Sequence, residues 1–235
     1  MARRTRGKGS WLTVLLVVAA LAVWILEQRG GGGGKPPPPS SSRQSNSKSE
    51  ENEKSSGKPA RAGVYEVHRG CALVEHRNND GDSFRVRLPD GRSAEFRLYF
   101  VDTPESAFKT YRGGENNHAR IRQQAADLGG ISPEQAVETG KLAKNLTLGL
   151  LNQAPFTLHT VWDSPYQDER YHAFIEVTHS GKPRWLHELL VERGLARILT
   201  KPADLPDGTP AASHRQHLRK LESAAKHAGA GAWGY

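Results

Sequence analysis

The segment Phe96–Glu105, FRLYFVDTPE, places Arg97 and then two carboxylates, Asp102 and Glu105, within nine residues. Just upstream, DGDS at Asp80–Ser83 supplies two more. These residue types suit metal-assisted attack on a phosphodiester. Such an ester is a poor electrophile because its anionic oxygens repel a nucleophile, so a site must neutralise charge, supply a deprotonated water and hold the line of attack. Paired aspartates suit a hard, oxygen-seeking cation. A glutamate past the turn at Pro104 can face a water near the ion rather than the ion itself. Arginine meets phosphate oxygens in bidentate fashion, and lysine is a poor replacement there.

Each piece alone has an ordinary reading. DGDS serves a hairpin turn without any ligand, and VDTPE is a common kind of strand exit. Arg97 is a solvated residue on a barrel face, and Arg170 a loop charge beside Glu169. It is their joint occurrence in this order that carries the catalytic reading.

Such groups need a scaffold, and beyond residue 62 short alternating segments predict one. Strands are expected at Cys71–His76, Ser83–Leu88 and Ser93–Val101, separated by turn chemistry at Asn78–Gly81 and Pro89–Gly91. The polar, glycine-bearing stretch Ser106–Gly130 reads as a long loop or lid, despite some helical character around His118–Leu128. Ser132 followed by Pro133 starts a helix reaching about Leu151, with Ala136, Val137, Leu142, Ala143, Leu146 and Leu150 at three- and four-residue spacing. Strands at Pro155–Trp162 and Tyr171–Val177 follow, then a helix from Trp185 closing near Gly194 and a terminal one from Ser213 ending near Gly229. This order predicts an α+β fold, a five-stranded OB-type Greek-key barrel with about three helices.

The N-terminus predicts location. Arg3, Arg4, Arg6 and Lys8 precede the uncharged run Trp11–Leu26, with Trp11 and Trp24 as interface anchors. Its 16 positions cover about 24 Å, somewhat short of a hydrocarbon core of about 30 Å. The expectation is an uncleaved single-pass anchor with everything after it on the non-cytoplasmic side. The small-x-small pair Ala20 and Ala22 leaves signal cleavage and secretion as the alternative. Gly30–Gly34, Pro36–Pro39 and a Ser/Asn/Glu/Lys tract up to Arg61 read as a disordered tether. The organisation is therefore a transmembrane anchor at 1–29, a linker at 30–62 and one domain at 63–235.

Net charge is +8, but residues 1–62 hold 11 of the 33 basic and 4 of the 25 acidic residues, which leaves 22 against 21 in the domain. Bulk charge therefore does not mark the domain as a nucleic-acid binder, and an anionic substrate must be drawn by locally placed arginines and a cation. Cys71 is the sole cysteine, which excludes an intrachain disulfide and a CxxC motif and suits a buried inert thiol. Of the ten histidines, His214 and His217 are three apart on a helix and could bind a transition metal; a solvated helix face is the ordinary reading. Trp162, Trp185 and Trp233 read as packing residues rather than stacking platforms.

Taken together, DGDSFRVRLPDGRSAEFRLYFVDTPE, DERYHAFIEV and HRQHLRKLESAAKHAGAGAW resemble the staphylococcal nuclease (thermonuclease) family over roughly residues 64–233. The resemblance implies a monomeric Ca²⁺-dependent phosphodiesterase on an OB barrel, cutting DNA or RNA at the bond to the 5′ oxygen and leaving 3′ phosphates. On matching positions it implies Asp82 and Asp102 as metal carboxylates and the Thr103 carbonyl as a further ligand. It also implies Glu105 as general base and Arg97 and Arg170 as the phosphate-binding arginines. The chain departs from the family in having DGDS for DGDT and a longer stretch between Glu105 and Glu138. Asp168, Ile198 and Thr200 stand where nucleotide-contacting tyrosines are expected, so stacking must differ, with Tyr99, Tyr111 or Tyr166 as candidate substitutes. A non-catalytic OB module binding nucleic acid or a protein is the alternative of a different class.

Overall fold

Period-two alternation builds the barrel: Phe84 and Val86 of one strand and Phe96 and Leu98 of the next are buried, while Arg85, Glu95 and Arg97 between them are partly exposed. The computed structural model describes residues 60–165 and 167–235. The expected anchor, the linker up to residue 59 and Tyr166 lie outside the described residues.

In chain order the elements are β1 (Ala60–Ala62), β2 (Tyr65–Leu73), β3 (Ser83–Arg87), β4 (Ser93–Leu98) and β5 (Val101–Asp102). Then come α1 (His118–Asp127), α2 (Pro133–Gln153), β6 (Phe156–Thr160), β7 (Arg170–His179) and β8 (Lys182–Trp185). The chain finishes with α3 (Leu186–Glu192), β9 (Arg197–Ile198), α4 (Ala211–His227) and a 3₁₀ turn at Gly231–Gly234. β2 pairs with β3, β3 with β4, β4 with β7, β7 with β6, and β6 with β2 again, which closes a five-stranded barrel of OB-like order in an α+β fold. The β4–β7 pairing is parallel, with Glu95 opposite Arg170 and Arg97 opposite His172.

The barrel interior and the inner faces of α2, α3 and α4 share one core, including Phe84, Phe96, Leu158, Phe174, Leu190 and Leu218. Cys71 is fully buried in it, and burial pushes its thiol up to about 12, as expected of an inert core cysteine. Trp162 and Trp185 pack against the same core, the packing role expected of them. The Ser132 start of α2 is a reciprocal capping box: the Ser132 hydroxyl accepts from the Gln135 amide while Gln135 accepts from the Ser132 amide.

Several sequence expectations are corrected. The first barrel strand begins at Tyr65 rather than Cys71, because a bulge at Gly70 (φ 83°) bends β2 from its pairing with β6 towards β3. The last three residues assigned to the linker form β1 on that strand. The long strand to Val101 breaks at Phe100 (φ 69°), and β5 instead pairs with β9. The helix from Trp185, by contrast, closes near Gly194 as expected: its last residue is Glu192, and Gly194 (φ 65°) turns the chain beneath the Ala230 carbonyl where no side chain fits. The expected lid contains α1, which makes four α-helices among the described residues. Among the described residues no helix is long and apolar enough to cross a membrane.

Candidate active site

Asp82 ends the turn before β3, and each neighbour in that turn is tied down. The buried Asn79 side chain donates to the Val74 carbonyl at 2.9 Å and accepts from the Arg85 amide at 2.9 Å, stitching the mouth of β2 to β3. The Gly81 carbonyl accepts from the Thr147 hydroxyl of α2 at 2.7 Å, and the Leu98 amide donates to the Asp82 carbonyl at 2.9 Å. Arg97 lies on β4 directly opposite Ser83. After the reversal at Phe100, β5 delivers Asp102, and the turn through Pro104 delivers Glu105.

These elements bring the expected residues together. Asp82, Arg97, Glu105 and Arg170 line one cleft of about 370 Å³, with Asp80, Lys109, Tyr111 and Arg120 beside them. Asp102 joins them through Arg97, whose Nη2 donates to Asp82 Oδ2 at 3.3 Å and Asp102 Oδ1 at 3.1 Å. Arg170, at the start of β7, is held by Asp168, to which its Nε donates at 2.9 Å. Of the three tyrosines named as stacking substitutes, Tyr111 lines the cleft, while Tyr99 is buried and donates to Asp163.

Three site residues escaped the sequence reading. Gln124 of α1, fully buried, donates from Nε2 to Asp102 Oδ2 (3.2 Å) and to the Thr103 carbonyl (3.1 Å), while its Oε1 accepts from the Glu105 amide (3.0 Å). One side chain thus fixes three consecutive pieces of the VDTPE turn. Arg120, four residues earlier on the same helix, donates to Asp102 Oδ1 at 3.0 Å and pairs with Glu105 Oε1 at 3.1 Å. Arg197 of β9 bridges Asp102 and Asp127. Arg120, Gln124 and Asp127 recur at helical spacing and turn a polar stripe towards the site, beside a short apolar stripe of Ile121 and Ala125 that packs on Ala136 and Val137 of α2. That spacing was the available signal.

Burial pushes the Asp82 carboxyl up to about 6, with Arg97 opposing the rise and the neighbouring Asp102 and Asp80 adding to it. Asp80 is raised as well, chiefly by burial. An acidic cluster that strains to stay ionised fits a bound cation, and the donors are hard oxygens. The Thr103 carbonyl shares one lone pair with Gln124 and keeps a second. No third acidic or imidazole group closes on Asp82 and Asp102 among the described residues, which suits a loosely held ion with water in its shell better than a rigid cage. The Arg97 guanidinium and a cation would compete for the same two carboxylates.

Gly140 of α2 lets the turn lie against the helix backbone. A Cβ there would come within 2.5 Å of both the Pro104 and Glu105 carbonyl oxygens. Gly140→Ala should therefore lower stability by about 1–3 kcal/mol, despite the better helix propensity of alanine, and displace Glu105. Thermal melting checks this; a rise in Tm would show that propensity outweighs the clash.

No known protein-family model and no curated protein matches the chain.

Proposed function

We propose that the chain is a thermonuclease-type phosphodiesterase, Ca²⁺-dependent and acting on DNA or RNA. The reading rests above all on one observation: Asp82, Arg97, Glu105 and Arg170, drawn from four separate segments, face one polar cleft, with Asp102 bound to Arg97 at its wall. Asp82, Asp102 and the Thr103 carbonyl would hold Ca²⁺, which when bound supplies positive charge beside the phosphate. Glu105, oriented by Arg120 at 3.1 Å and by Asn117 Nδ2 at 3.3 Å, takes a proton from the attacking water. Arg97 and Arg170 donate to the phosphate oxygens as charge builds up on them. The bond from phosphorus to the 5′ oxygen breaks, leaving a 3′ phosphate and a 5′ hydroxyl. Beside the cleft and sharing Glu95 with it lies a hollow of about 420 Å³ lined by Arg85, Arg92, Trp162 and Tyr171, with the Arg92 guanidinium 5.2 Å from the Trp162 ring centroid, where an adjoining nucleotide would meet two arginines.

The basic flank and apolar run at the N-terminus support a domain anchored to a membrane and working outside the cytoplasm. Cell fractionation with mass measurement of the mature N-terminus separates this from a secreted, cleaved form.

The test is plasmid nicking by the full chain with Ca²⁺ or with EDTA. Cleavage that requires Ca²⁺ and leaves 3′ phosphates is expected, and Arg97→Lys should lower it at least about 100-fold, since a single bidentate donor is lost from the transition state. One observation favours the non-catalytic alternative: Asp102 already meets Arg97, Arg120 and Arg197, as in a structural ion-pair network. Nucleic-acid binding that ignores both Ca²⁺ and EDTA, without nicking, would establish that second reading.

A further inference from the structure

Outside the cleft stands a group with different chemistry. His187 of α3 and His214 of α4 approach with their Nε2 atoms 2.7 Å apart, both rings buried. Glu188 lies beside them, and one ligand atom from each of the three falls within 4.8 Å of the others. His217, one turn along α4 and half-exposed, stands with Nε2 3.5 Å from Glu188 Oε1. The sequence paired His214 with His217 as neighbours on one helix; the fold instead turns His214 inward to meet His187.

We propose that His187, His214 and Glu188 form a zinc site that ties the C-terminal helix α4 to α3, with water or His217 in the fourth position. It stands independently of the proposed nuclease activity.

The geometry is close to what zinc requires. Two imidazole nitrogens bound tetrahedrally at about 2.0–2.1 Å lie roughly 3.3 Å apart, so the rings must part by about 0.6 Å from 2.7 Å, and the Glu188 carboxylate must draw in from a group whose ligand atoms lie within 4.8 Å of one another. Their directions are set by packing. The His187 ring lies at 19° to Phe100 and at 55° to Phe174, and the His214 ring meets Phe100 edge-on at 5.0 Å. Burial holds both imidazoles well on the neutral side, His214 down to about 4, which is the form a metal takes. Two imidazoles with one carboxylate select zinc over the hard ions that suit Asp82 and Asp102.

A plain N–H···N bond between the rings leaves a different problem. It accounts for one nitrogen of each ring, yet His187 Nδ1 remains buried with no hydrogen-bond partner, and the Glu188 carboxylate, 3.5 Å from His217 Nε2, stands 4.0 Å from His214 Nδ1, beyond hydrogen-bond reach. Coordination uses the carboxylate. It also leaves His187 Nδ1–H unbraced, and an unsupported ligand weakens a metal site about 10–100-fold, so affinity should be modest, on the order of micromolar.

The experiment titrates the untagged full chain, stripped with chelator, with Zn²⁺ against a chromophoric competitor, and with Co²⁺ followed by visible absorption. One equivalent should bind, Tm should rise by about 5–10 °C at a hundredfold excess over Kd, and Co²⁺ should give the intense d–d bands of a four-coordinate ion. Both effects should survive Asp82→Asn and vanish in His214→Gln and in Glu188→Gln. Glu188→Gln is the milder change and keeps the test decisive should His214→Gln fail to fold. No binding, octahedral Co²⁺ spectra, or binding lost in Asp82→Asn but kept in Glu188→Gln would overturn the site.

Discussion

Glu105→Gln is expected to lower turnover about 10²–10⁴-fold with the fold unchanged, the usual contribution of a positioned general base. The substitution keeps the size and planarity of the side chain. Its one oxygen can still accept from Arg120 Nε, its NH2 gives up only the longer 3.3 Å contact from Asn117 Nδ2, and the Glu105 amide stays bonded to Gln124. What is lost is the capacity to take a proton from water, so kcat should fall while KM changes little. Steady-state kinetics on a short oligonucleotide, with circular dichroism as a folding control, reads both. Retention of more than about a tenth of wild-type kcat would remove Glu105 from the mechanism.

Asp82→Asn carries the second large effect, and its two halves point in opposite directions. Activity and Ca²⁺-induced stabilisation should both disappear, because half of the charged donor set is gone. In EDTA at pH 7–8 the variant should nevertheless be more stable than the wild type. The folded Asp82 carboxyl, at about 6, lies above its ordinary 3.8, so folding favours its protonated form. That stabilisation is complete below about pH 3.8 and is lost as pH rises through about 6. At neutral pH the chain therefore folds around a charge it would rather not bury, and asparagine removes that charge. A gain of about 1–3 kcal/mol is expected, the attraction to Arg97 being already contained in the folded value of about 6. Urea denaturation in EDTA at pH 8 and at pH 3.5 checks the sign: the gain should be present at the first and absent at the second. A variant less stable than wild type at pH 8 would mean that the Arg97 pair dominates.

The barrel was legible because its strands obey a two-residue rhythm and its turns use Asn, Asp, Gly and Pro. The alternation at Ser83–Leu88 and Phe96–Leu98 needed no tertiary information. The start of β2 was not legible, since His68, Arg69 and Gly70 interrupt its alternation at a bulge whose reason is the partner strand β6. The carboxylates and arginines were readable as residue types in a fixed order. Gln124 was not, because a buried amide that organises a turn looks like any polar residue on a weak helix until Asp102, Thr103 and Glu105 are seen around it. Arg197 was hidden for a similar reason: its partner Asp102 is 95 residues away and meets it only across β5 and β9. The inward turn of His214 likewise depends on α4 docking against α3, a packing fact with no local signature.

The parallel seam between β4 and β7 decides when the cleft can exist. Arg97 and Arg170 stand 73 positions apart, and only closure of that seam carries the second to the first. A chain halted before Arg170 holds both aspartates and the glutamate yet has an open sheet for a cylinder and no opposite bank to its groove. For the proposed nuclease this means that a chain interrupted before Arg170 is expected to be inert, activity waiting on the non-local step of joining distant strands.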